Sequence, residues 1–256
     1  MSEPAFLART GDEYVPNNIA RGPWDPGSMH GRVIAGLLAH ELELRFGDPA
    51  FQAARLTVDM FRLPRLAPVR AATRPIRDGN RIRVAEGIAF QGDTEIGRAT
   101  AVFLRRGEQP EGNVWRPEPW DVPAPETIEP QQPRDFPLMW ETRVIDHGFG
   151  AVARKRAWLR EIRPLIAGVD LTPFVRVASA ADFTNPFANS GDRGLEFVNA
   201  DITMYLHRDP EGQFIGFEVT SHQSEQGVAV AECLLYDSRG AIGHSLVCGV
   251  ANQRRR

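Results

Sequence analysis

The sequence predicts an α+β protein of two similar halves, each an antiparallel sheet curled around one central helix. Three observations predict it. From Val33 to Ala39 the residues are Val, Ile, Ala, Gly, Leu, Leu and Ala, so a helix there has no polar face to turn toward water and something must enclose it. Segments of strand character follow that helix. After a proline-rich stretch, the same order of helix and then strands returns with matching letters.

The first helix is expected over roughly Ser28 to Phe46. Asp25-Pro26 and Ser28 supply capping chemistry at its start, and Gly47 with Asp48-Pro49 stops it. Strands are then expected at Ala53–Arg62, Val69–Arg77, Arg81–Gln91 and Thr94–Arg105. In the third, Ile82, Val84, Ile88 and Phe90 alternate with Arg81, Arg83, Ala85, Gly87 and Ala89, the period of a half-buried strand. Asp78-Gly79-Asn80 and Gly92-Asp93 are turn chemistry between neighbours, which makes the run an antiparallel meander.

Between Gly107 and Pro137 the pattern breaks. Prolines 110, 117, 119, 123, 125, 130, 133 and 137 crowd this window; each removes a ladder donor and fixes φ, so an extended linker is expected, lying on the surface through Trp115 and Trp120. The predicted organisation is therefore a first repeat at 1–106, a linker at 107–137 and a second repeat at 138–256.

In the second half, Met139–His147 and Ala151–Arg160 read as strands. Thr172 and Pro173 open a helix expected to run to about Asn185, before Pro186. Strands at Leu195–His207, Gln213–His222, Gly227–Asp237 and Ala241–Val250 complete it. VAEGIAFQGDTEIG (84–97) lies over VAECLLYDSRGAIG (230–243) without gaps at a spacing of 146. Together with the repeated order of elements, this favours internal duplication.

Composition narrows the function classes. A formal charge of −3 and a pI near 6.1 give no argument for a nucleic-acid or anionic-membrane partner. No apolar run approaches the roughly 20 residues of a membrane span, and MSEPAFLART carries an early Glu and no signal-peptide core. With only Cys233 and Cys248, a reducing cytoplasm is the expected location. The His residues are scattered, the two Cys are far apart, and there is neither a phosphate-binding glycine loop nor a Gly-x-Ser-x-Gly elbow. No metal and no cofactor are expected. Arg254–Arg256 read as a solvated tail.

The stretches GPWDPGSMHGRVIAGLLAHELE and RDGNRIRVAEGIAFQGDTEIGRATAVFL, with SAADFTN and NADITMYLHR in the second half, resemble the acyl-CoA thioesterase II (TesB-like) double hotdog family. The resemblance implies two fused hotdog repeats with sheets joined edge to edge, and hydrolysis of fatty acyl-CoA thioesters. In that family a helix Asp, a strand Thr and a last-strand Gln of the second repeat hold the attacking water. Position by position, Asp182 matches the Asp, Asn199 stands where the Thr is expected, and Val247 stands where the Gln is expected.

Asp182 also draws notice by itself. It is a carboxylate among Val177, Ala178, Ala180, Ala181 and Phe183, a placement that costs free energy unless it is bonded, and a water-activating base would be a reason for it. Asn199 is expected to hold the same water or polarise the thioester carbonyl. His30-Gly31 resembles the His-Gly pair of single hotdog thioesterases, whose helix-start amides suit a developing oxyanion or a pantetheine oxygen. Arg32 stands where that pattern usually has Gly, and Ala39 where a carboxylate is expected.

Among the remaining polar groups, one of Ser221, His222, Gln223 and Ser224 is a candidate to replace the missing Gln, and His207-Arg208 a candidate CoA phosphate contact. His244 and Ser245 read as strand residues, and Glu86 and Glu232 as paired structural carboxylates. The expected partner is an acyl-CoA, with a homo-oligomer left open. An acyl-thioester binding protein that has lost activity is the alternative, motivated by Val247. Enoyl-thioester hydration is a distant third: Asp182-Phe183-Thr184-Asn185-Pro186 departs from the hydratase signature by one inserted residue, and Ala188 offers no imidazole.

Overall fold

The computed structural model describes residues 4–131 and 139–252. A short hairpin, β1 (Leu7–Thr10) and β2 (Glu13–Pro16), precedes helix α1 (Gly31–Phe46). Strands β3 (Phe51–Met60), β4 (Val69–Asp78), β5 (Ile82–Gln91) and β6 (Thr94–Arg105) follow. The second half opens with β7 (Trp140–Asp146) and β8 (Arg156–Glu161), then α2 (Pro173–Ala181) and α3 (Thr184–Ala188). The two-residue strands β9 (Ser190–Gly191) and β10 (Gly194–Leu195) pair with each other. The chain ends with β11 (Phe197–Asn199), β12 (Asp201–Leu206), β13 (Phe214–Glu225), β14 (Val228–Asp237) and β15 (Gly240–Ala251).

Apart from β9 and β10, the strands form one antiparallel sheet in the order β1-β2-β4-β5-β6-β3-β12-β15-β14-β13-β8-β7, with β11 also on β15. From either end it presents a hairpin, a three-stranded meander and a seam strand, which is the double hotdog. The spacing of 146 read from the letters carries β5 onto β14, β6 onto β15, and β3 onto β11 with β12. Hairpin β1–β2 was not expected from the sequence. Strands of four residues, LART and EYVP, are too short to display a period.

Helix α1 is wrapped as its composition requires: Arg32 to Ala39, Glu41 and Leu42 are all buried. It starts later than expected, with His30 as its N-cap. Ser28 and Met29 are held extended by bridges to Arg65 and Arg21, and those backbone bonds compete with a helical turn. Gly36 faces α2 so closely that a Cβ there would collide with Ser179 Oγ.

The second helix departs further from expectation. It ends at Ala181, Asp182 is its C-cap, and a new turn begins at Thr184. Pro186 sits in the first turn of α3, where a missing N–H costs nothing. The strand expected over Leu195–His207 is interrupted at Ala200, whose N–H bonds Cys248 O while its carbonyl accepts from Met60 N–H. The strand expected from Ala151 starts only at Arg156 because Lys155 turns inward, its Nζ bonded to the carbonyls of Phe187 and Ser190.

Residues 107–131 carry one 3-10 turn at Pro125–Thr127 and lie across the second half's sheet. Trp120 stacks on Tyr236 at 4.1 Å, and Trp158 Nε1 donates to Pro123 O at 3.0 Å. Trp115, by contrast, is 85% exposed. Pro133, Pro137 and the basic tail at Arg254–Arg256 lie outside the described residues.

Candidate active site

An apolar cavity of about 590 Å³ opens between the two halves. Its walls include Trp24, Ile34, Met60, Trp140, Phe149, Phe183 and Phe187, and its polar groups include His30, Gly31, Asp182, Asn185 and Asn199. A pocket that is mostly greasy, with a few convergent polar groups, is the usual form of a small-molecule site.

The break between α2 and α3 positions Asp182. Its side chain leaves the helix end and meets the start of α1, so that a Cβ added to Gly31 would stand 3.4 Å from Asp182 Oδ1. Only 4% of Asp182 is exposed. His30 Nδ1 lies 3.0 Å from Oδ2 and Asn199 Nδ2 donates to Oδ1 at 3.2 Å. The backbone N–H of Arg32 also approaches His30 Nδ1, at 3.4 Å. One nitrogen cannot serve both partners, and the closer, charged one decides that Nδ1 carries hydrogen and donates to the carboxylate.

Burial alone would push the Asp182 carboxyl up. The His30 hydrogen bond and charge, the Asn199 amide and the Arg32 guanidinium outweigh it, and the group lies below the usual aspartate value. The N-terminal end of α1 adds a favourable dipole. Asp182 is thus an ionised carboxylate on the wall of an apolar cavity.

At the helix start, His30 N–H is already bonded to Ala20 O. Among the described residues the Gly31 N–H has no partner, which leaves it as the free amide donor of the expected pair. Arg32 turns away from the cavity. It pairs with Glu161 in the interior, donates to Met139 O at 3.1 Å and lies over Trp140 at 4.5 Å, tying α1 to β8. Burial raises the Glu161 carboxyl against the opposing pull of Arg32.

The structure therefore brings together all four candidates, Asp182, Asn199, His30 and Gly31. Others it places elsewhere. Val247 is 1% exposed in the core on β15 and does not line the cavity. Ser221–Ser224 lie within β13, and none of them lines the cavity. Arg208 is committed to Asp237 through two nitrogens, which makes the strand end a structural brace and leaves no guanidinium for a phosphate. Glu86 pairs with Arg74 and Arg98, and Glu232 with His244 at 2.6 Å; these are structural carboxylates. Ala39 is fully buried and Ser245 Oγ donates to Ala181 O.

Sequence reasoning missed Asn185 and Asn189. Asn185 Nδ2 donates to Asn199 Oδ1 at 3.1 Å, and Asn189 Nδ2 donates to Asn185 Oδ1 at 2.9 Å. Two asparagines four positions apart on one helix face were the available signal. Trp140, edge-on to His30 at 5.7 Å, was also missed.

Comparison with known proteins agrees with this architecture. A family model described as the acyl-CoA thioesterase N-terminal domain matches residues 20–104, and one described as the acyl-CoA thioesterase C-terminal domain matches residues 116–246. Among solved structures, the chain is similar to the tesB protein of Mycobacterium avium subsp. paratuberculosis, with 18% identity over 96% of this chain and 95% of that one and a TM-score of 0.71. It is also similar to a conserved hot dog fold protein of unknown function from Alicyclobacillus acidocaldarius, at 18% identity, 96% and 95% coverage and a TM-score of 0.73. The acyl-CoA thioesterase II TesB2 of Mycobacterium marinum gives 17% identity, 96% and 95% coverage and a TM-score of 0.66. A search of curated proteins returned no match. Among the described residues no helix is long and apolar enough to cross a membrane, and no cluster of His, Cys, Asp and Glu could hold a metal ion.

Proposed function

Because the chain belongs to the acyl-CoA thioesterase family, we propose that it hydrolyses acyl-CoA thioesters with water activated at Asp182. Residues 1–106 and 138–256 are proposed as the two repeats, joined by the segment 107–137. The observation that carries the reading is the buried Asp182 carboxylate, held by His30 and Asn199 beside a cavity able to take a greasy acyl chain.

In this mechanism Asp182 accepts a proton from water as the water oxygen attacks the thioester carbonyl carbon. Asn199 fixes the carboxylate, and the Gly31 N–H receives the developing oxyanion at the start of α1. The C–S bond then breaks, leaving a free acid and a CoA thiolate that takes up the proton. His30 keeps its Nδ1–H on Asp182 and so orients the carboxylate from the opposite side to Asn199. No step requires a cofactor. A cytoplasmic location is proposed with it, in keeping with a CoA substrate.

Purified protein assayed on a panel of acyl-CoAs with a thiol-trapping dye tests this. Wild-type turnover that Asp182→Asn reduces by about 10²- to 10⁴-fold supports a general base. Turnover that Asp182→Asn leaves unchanged removes it.

A second reading, binding of acyl thioesters without turnover, is favoured by one observation: Val247 contributes no amide to the cavity. Calorimetric binding of acyl-CoA with no released thiol would select it.

A further inference from the structure

A continuous line of side chains runs from the surface of β13 to Asp182. His222 Nδ1 lies 2.7 Å from Asn189 Oδ1, Asn189 Nδ2 donates to Asn185 Oδ1 at 2.9 Å, Asn185 Nδ2 donates to Asn199 Oδ1 at 3.1 Å, and Asn199 Nδ2 donates to Asp182 Oδ1 at 3.2 Å. Asn185 is 2% and Asn189 5% exposed, whereas His222 is exposed.

The direction of this line is forced from its inner end. An ionised carboxylate only accepts, so Asn199 must present its NH₂ to Asp182 and its carbonyl to Asn185. Asn185 must then turn its NH₂ toward Asn199, a choice fixed a second time because the same nitrogen donates to Phe197 O at 3.2 Å. Its carbonyl is left for the Asn189 NH₂, and the Asn189 carbonyl is left for His222 Nδ1–H. His222 Nε2 is 3.2 Å from Ser224 Oγ, which can donate to it or accept from it. Nδ1 therefore keeps its hydrogen whether or not the ring is charged.

We propose that Asn185, Asn189 and His222 are positioning residues whose polarised hydrogen-bond line holds the Asn199 amide on Asp182. The proposal rests on the reading of Asp182 as the water-activating carboxylate. Asn189 does not line the cavity, so any influence it has on the site passes through its neighbours.

Asn189→Asp tests the line because it preserves shape and reverses polarity. A carboxylate at 189 cannot donate to Asn185, so Asn185 turns its NH₂ outward, gives up its bond to Phe197 O, sets its carbonyl against that of Asn199, and deprives Asp182 of a donor. The other charged or titratable groups around Asp182 are His30 and Arg32 of α1, with Glu161 of β8 balancing Arg32. Among the described residues, the charged group that bears on His222 is Lys155.

The experiment follows the ¹³Cγ resonance of Asp182 through an acid titration in the wild type and in Asn189→Asp, with acyl-CoA kinetics alongside. The titration midpoint of Asp182 is expected to move up in the variant, and kcat to fall about tenfold or more with KM little changed. His222→Leu, a substitution at an exposed position that adds no charge, is expected to move the midpoint in the same direction by less. The carboxylate added by Asn189→Asp also repels Asp182 directly, so an unmoved midpoint in the uncharged His222→Leu overturns the proposal. Because the titration needs no turnover, it is separable from the parent reading: an active Asp182→Asn enzyme with a shifted midpoint in His222→Leu sinks the base and keeps the line.

Discussion

Thr57 Oγ1 and Thr203 Oγ1 meet at 3.2 Å across the seam between β3 and β12, where Thr57 and Thr203 are register partners. They are also 146 positions apart, the spacing that relates the two halves in the letters. A residue that pairs with its own counterpart lies on the pseudo-twofold axis. The seam is thus isologous, as in a symmetric dimer, and joins the halves into one sheet.

That axis makes the seam sensitive to the sign of paired charge. Thr57→Lys with Thr203→Lys places like charges at one register position and is expected to lower stability by up to about 1 kcal/mol relative to Thr57→Glu with Thr203→Lys. Urea unfolding of the two double variants at low salt measures the difference.

The acid side of the activity profile follows from the same carboxylate. The Asp182 carboxyl is held below the ordinary 3.8 by His30, Asn199 and Arg32, so kcat/KM should stay level through neutral pH and fall only below 3.8. His30→Phe removes one donor to the ionised form and is expected to move that fall to higher pH. A pH profile in which the two enzymes coincide contradicts the assigned role of His30.

Arg32 and Glu161 form a buried pair that ties the halves together. Glu161→Leu leaves an unpaired guanidinium and is expected to cost about 3–5 kcal/mol. Adding Arg32→Met should recover most of the loss, because the site then holds no charge. Denaturant melts of the single and double variants check both statements.

Asp59 faces Asp201 across the seam, and partial desolvation of this exposed carboxylate together with that neighbour raises its carboxyl above 3.8. A raised acid binds its proton more tightly in the folded state, so it weakens the fold above its folded value and not below 3.8. Asp59→Asn is therefore expected to raise Tm at neutral pH, with the gain disappearing as pH falls below 3.8. Calorimetric Tm values across that range decide it.

Gly216 lies beneath Trp120, and a Cβ there would stand 2.5 Å from the indole. Gly216→Ala is expected to dislodge Trp120 from Tyr236 and to cost about 1–3 kcal/mol, as overpacking does. A changed tryptophan emission spectrum reports the dislodged ring.

The sequence by itself determined the architecture. An all-apolar helix demands a wrapper, alternation at Ile82–Phe90 supplies one, and a repeat at a fixed spacing supplies it twice. These are local or periodic properties, carried by residues whose burial follows from their own side chains. The site was legible where chemistry was out of place, at Asp182 among alanines, and through resemblance at Asn199 and the helix-opening His30-Gly31. What the letters did not contain was who meets whom. That Asp182 leaves a broken helix to touch Gly31, that Arg32 is spent on Glu161, and that Asn189 and His222 stand in line behind Asn199 depend on contacts between residues as many as 151 positions apart. A hydrogen bond is fixed by fractions of an ångström and by direction, and only the packing of α1 against α2 and α3 sets those.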